Sequence, residues 1–156
     1  MNNSINNSSI NFQASMKLQG IEKSNKLKNV ITSVRNRTQK YPHDTIVMSE
    51  QSFEVNDGKA VIPKKYMEEL LAMPEELITN TIVKLFNMHK HAQISKRTMP
   101  NLIIENEFLK RNKKPTQGDM KAVLKSCERV NRCVFQNEAE KHPILKHIDF
   151  DNVHLG

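Results

Sequence analysis

The stretch from Ser52 to Pro63 constrains this chain more than any other part of its sequence. Ser52-Phe53-Glu54-Val55 alternates polar and apolar residues, Asn56-Asp57-Gly58 follows, and Lys59-Ala60-Val61-Ile62 runs on to Pro63. An Asp-Gly pair supplies the positive φ angles of a tight hairpin turn whose twist matches the strands it joins, so the stretch predicts an antiparallel hairpin. Thr45-Ile46-Val47-Met48 is a short β-branched run just ahead of it and predicts a further strand. Two or three short strands are marginal by themselves, so helices must cover one face of this sheet.

The helices are read from spacing. From Gly20 to about Gln39, Ile21, Leu27, Val30, Ile31 and Val34 fall on one face, with Lys23, Lys26, Lys28, Arg35 and Arg37 largely elsewhere. Tyr41-Pro42 ends this basic amphipathic helix, because a residue that precedes proline is pushed out of the α region. Lys64 to Met73 predicts a short helix that stops before Pro74. Pro74, Glu75 and Glu76 suit the start of the next, which should carry Leu77, Ile78, Ile82, Leu85, Phe86 and His89 into the core and end at about His91. Asn101 to Arg111 fits either helix or strand, and helix is preferred. Thr116 with Asp119 three residues on resembles a capping box with Asp in place of Glu. It should open a helix from about Gln117 to Glu140 that buries Met120, Val123, Leu124, Cys127, Val130 and Val134.

These elements give an α+β architecture: a mostly helical single domain over residues 16–156, with a small antiparallel β-hairpin sheet, preceded by a disordered polar tail over residues 1–15. The tail is assigned on composition. Residues 1–15 hold Asn and Ser in place of the apolar surface that would offset the entropy of ordering them. With no acidic residue before Glu22, this segment resembles the leaderless N-terminal export signals of bacterial type III secreted effectors. The resemblance covers some twenty residues and carries no fixed motif. An AT-rich genome, which enriches Asn, Lys and Ile throughout, accounts for the same composition.

No run in the sequence approaches the ~18 apolar residues of a membrane span, and Met1 to Gln19 lacks the apolar segment of a cleavable signal peptide. The expected location is therefore cytoplasmic, or outside the cell by a route without a cleavable signal. Cys127 and Cys133, six residues apart on one helix, are too far apart for a disulfide and read as free thiols. The net charge of +7 is uneven, since residues 84–125 hold ten Lys/Arg against three Asp/Glu. Such a centre invites an anionic partner or internal pairing.

The residues that could carry chemistry are few. His89 and His91 point about 200° apart on a helix and cannot share one metal ion, and the cysteine spacing does not suit zinc. A cysteine nucleophile would need a histidine beside it in space, which the sequence does not place there. Gly20, Gly58, Gly118 and Gly156 are isolated, so no phosphate loop is built. No catalytic residue, metal ligand or cofactor is assigned, and the expectation is a chain that is not an enzyme. Lys90, Lys96, Arg97, Lys110, Arg111, Lys113 and Lys114 are candidates for contact with an anion or nucleic acid. With no tryptophan and two tyrosines, base stacking is poorly supplied. The expected function is a non-catalytic bacterial interaction protein with a protein partner, exported by a leaderless route. The alternative is a cytoplasmic nucleic-acid-binding protein without sequence preference.

Overall fold

The computed structural model describes residues 14–50, 52–55, 58–61 and 64–147. Most of the expected tail, the turn residues Asn56 and Asp57, and the apolar Ile148 and Phe150 lie outside the described residues. The chain is a mostly helical α+β protein with a small sheet. It divides into two compact units, Met1–Asn87 and Met88–Gly156.

The first unit holds the sheet. Its strands β1 (Ser15–Gln19), β2 (Thr45–Ser49), β3 (Ser52–Val55) and β4 (Gly58–Val61) lie in the order β1-β2-β3-β4. The expected hairpin is present, with Ser52 opposite Val61 and Val55 opposite Gly58. The expected antiparallel sheet gains a strand at its far edge, because β1 pairs parallel to β2 from Ser15–Thr45 to Gln19–Ser49. Parallel pairing needs a crossover connection, and helix α1 (Asn25–Arg37) supplies it. The register places Met16, Ile46 and Val55 side by side across the sheet, and Leu18, Met48 and Phe53 in the next row. Met16, Ile46, Val55, Met48 and Phe53 are buried.

Helix α1 starts at Asn25 rather than at Gly20. The Ser24 hydroxyl accepts the Leu27 N–H at 3.2 Å, which fixes the first turn. Ile21 consequently precedes the helix, while Leu27, Val30, Ile31 and Val34 are buried as their spacing requires. Part of the basic face is used internally. Lys26 Nζ donates to the Leu71 carbonyl at 2.9 Å, near the C-terminal end of helix α2 (Lys64–Ala72), where a cation complements the helix dipole. Arg37 donates to Asn80, and Asn29 to Glu75 at 3.0 Å, both in the first turns of helix α3 (Glu75–Glu107). The early part of α3 buries Ile78, Ile82, Val83, Leu85 and Phe86, with the Tyr41 ring edge-on to Phe86 at 5.3 Å.

Helix α3 does not end at His91. It continues through Pro100 to Glu107 and absorbs the ambiguous Asn101–Arg111 stretch up to that point. Proline inside a helix removes one donor and crowds the preceding turn, at a cost of about 3 kcal/mol. Side chains bond backbone carbonyls around it: Thr98 donates to Ile94 O at 2.9 Å and Asn101 to Arg97 O at 3.3 Å. The intervening residues contain no glycine and several good helix formers, so nothing else interrupts the helix.

In the second unit, the later part of α3 leads through a 3-10 turn, Leu109–Arg111, to helix α4 (Gln117–Ala139). Asn112 closes the turn in the left-handed region with φ 55°. The His91 and Phe135 rings meet edge-on at 5.9 Å, so the chain doubles back as a helical hairpin. Met88, Ala92, Cys127, Phe135 and Ala139 are buried, together with Ile144 and Leu145 of the closing segment.

Candidate protein-binding face

Helix α4 is set at its start by the expected capping box. The Thr116 hydroxyl accepts the Asp119 N–H at 3.1 Å, and the Asp119 carboxylate accepts the Thr116 N–H at 2.9 Å. The Thr116 backbone N–H, then the Thr116 side chain, hold the Asp119 carboxyl below its ordinary value of 3.8. With that start fixed, Met120, Val123, Leu124, Cys127, Val130 and Val134 fall within an arc of about 120°.

This arc is not the buried face that its spacing suggests. Only Cys127 is buried and Val123 is half-buried, whereas Met120, Leu124, Val130 and Val134 are between 43% and 56% exposed. Periodicity marks which residues form an apolar stripe but says nothing of what covers it. Residues that do face inward, Phe135 and Ala139, sit at the end of α4 where it meets His91. Along α3 the same change occurs. Met88, Ala92 and Ser95 are buried on one side, but farther along that side Met99 and Leu102 are 42% and 50% exposed.

Among the described residues, every large hydrophobic with high exposure lies in this hairpin: Ile94, Met99, Leu102, Leu109, Met120, Leu124, Val130 and Val134. The described residues of the first unit contribute none. Single exposed apolar residues are ordinary, but a concentration of them on one element marks an interaction surface.

The seven sequence-assigned cations are distributed around the same hairpin rather than gathered into one patch. Lys110, Arg111, Lys113 and Lys114 share the turn between the helices, all of them exposed. Two are partly engaged, Lys110 with Asn106 at 2.8 Å and Arg111 with Glu107 at 3.6 Å. Lys96 and Arg97 are exposed on α3, about 20 Å from the turn by helical rise, and Lys90 is half-buried nearly two turns earlier. The spacing named the α4 stripe but assigned it to the core, and its exposure is what the sequence did not reveal.

The remaining chemistry-bearing residues do not converge. Cys127 is buried and Cys133 exposed, and both are free thiols. His89 is buried while His91 is exposed and lies 3.5 Å from the Ser95 hydroxyl. Among the described residues there is no group of three or more His, Cys, Asp or Glu that could hold a metal ion, and no helix is long and apolar enough to cross a membrane. Comparison with protein-family models, with curated proteins and with solved structures finds no match for this chain.

Proposed function

We propose that this chain is a non-catalytic interaction protein that binds another protein through the α3–α4 hairpin. One observation carries the reading: the exposed large hydrophobics are concentrated between Ile94 and Val134. Burying apolar side chains of this kind is favourable by about 25 cal/mol per Å², and a second protein is the surface that could supply the cover.

The test is capture by the full-length chain from lysates of its own cells and of a host, each with and without nuclease, beside the Leu124→Glu/Val130→Glu double variant. A nuclease-resistant protein partner that the double variant fails to retain is the expected result. A partner retained equally by both forms would contradict the reading.

A second reading, sequence-independent nucleic-acid binding, is supported by the four cations of the Leu109–Lys114 turn. It requires captured material to vanish with nuclease and binding to fall steeply as salt rises, because phosphate contacts release counterions. Export by a leaderless route rests on the composition of residues 1–15 alone. It requires that deleting them abolish export while leaving partner capture intact.

A further inference from the structure

The exposed face of α4 has a charged border as well as an apolar floor. Lys121, Lys125, Arg129 and Arg132 recur at spacings of four, four and three, so they form one row beside the edge of the stripe that Leu124 occupies. All four are exposed, and Glu128 is the single acidic residue within the row. Between Lys90 and Arg132 the hairpin holds eleven Lys/Arg against four Asp/Glu.

We infer, on the reading that this face binds a protein, that its occupant is an acidic amphipathic helix of a partner. The length of the face sets the length of the occupant. Met120 to Val134 spans 15 residues of helix, a rise of about 21 Å, which a partner helix of about four turns covers. The stripe suits a partner helix laid along it, whose apolar anchors at i, i+3, i+4 and i+7 would meet Met120, Leu124, Val130 and Val134. Met120 at the start of the stripe is a flexible side chain that adapts to the occupant.

Charge complementarity selects the sign of the occupant. Glu or Asp residues along its flank would lie against the lysine and arginine row, raising the rate of encounter and fixing the direction of docking. A second copy of this chain fits less well. Its own hairpin would bring the same cationic row against this one, and the α4 stripe extends over only about two heptads, fewer than the three to four that mark a coiled-coil pair.

The test is selection of random 18-residue peptides displayed on phage against the full-length protein, with counter-selection on Leu124→Glu/Val130→Glu. Both substitutions lie at exposed positions, and circular dichroism checks that the variant keeps its helices. Enriched peptides are expected to be net acidic with apolar residues at helical spacing. A synthetic copy of one should bind the Lys121→Glu/Lys125→Glu variant at least tenfold more weakly than the parent.

Enriched peptides that are neutral or basic, or that alternate as strands do, would overturn the inference, as would the absence of enrichment over the double variant. Preference for a mixed-sequence DNA duplex over every peptide would overturn it in favour of nucleic acid. A concentration-dependent dimer in sedimentation, lost in Leu124→Glu/Val130→Glu and unaffected by the peptide, would overturn it in favour of a second copy. Partner capture that depends on Leu124 and Val130 but yields a basic or extended binding segment leaves the protein-binding reading standing and removes only this one.

Discussion

Two residues control how the hairpin is built. Asn112 holds φ 55°, a conformation that costs most L-residues roughly 1–2 kcal/mol and that Asn and Gly tolerate. Its N–H donates to Leu109 O at 3.1 Å, and the next N–H, of Lys113, to Phe108 O at 2.8 Å. Asn112→Val should therefore destabilise the protein by at least about 1 kcal/mol, whereas Asn112→Gly should be near neutral, as read from chemical denaturation. Equal effects of the two would show that the left-handed turn does not matter. Asp119 gives a pH-dependent counterpart. Its folded pKa lies below the unfolded value, so its contribution is complete above the ordinary value of 3.8 and is lost as pH falls through the lower folded value. A carboxyl titration followed by NMR should place the Asp119 midpoint below 3.8. Thr116→Ala removes the hydroxyl but keeps the backbone N–H, so it should lessen that depression without abolishing it, and an unchanged midpoint would show that the hydroxyl takes no part.

At the level of elements, the helices with spaced apolar residues and a clear start were legible in the sequence. The Thr116–Asp119 cap, the buried face of α1 and the Phe53/Val55 hairpin strand all follow from local pattern. Strand β1 was not legible. Ser15-Met16-Lys17-Leu18-Gln19 offers two apolar residues beside a polar tract, and its partner strand is 30 residues away. The expected end of α3 at about His91 fell short because the apolar spacing followed there stops at His89, and local pattern does not carry a helix on through Pro100. The burial of α4 was misjudged because spacing defines a stripe without defining its cover. This difference is measurable. Ile46→Ala, in the sheet core with no exposure, should cost about 2–5 kcal/mol. Leu124→Ala, at 46% exposure, should stay within about 0.5 kcal/mol. A large loss for Leu124→Ala would mean that the α4 face supports the fold rather than a partner.

For the whole molecule, the charge and the apolar surface fall on the same part of the chain. Residues 90–134 hold eleven Lys/Arg against four Asp/Glu and also carry the exposed hydrophobics from Ile94 to Val134, whereas the basic residues 1–40 and the acidic residues 41–83 nearly offset one another. A positive field of this kind favours solubility and steers anionic partners, without specifying the fold. The candidate cations were legible from composition, since charge runs can be counted. Their separation along α3 and around the Leu109–Arg111 turn was not, because it depends on where the helix ends. The most direct measurement places a photo-crosslinking amino acid at Leu124 in the full-length chain, in its own cells and in host lysate, with Ser33 on the exposed side of α1 as control. Protein adducts from position 124 and none from position 33 are the expected result. Equal adducts from both positions, or nucleic acid as the sole crosslinked species, would contradict a protein-binding face on the α3–α4 hairpin.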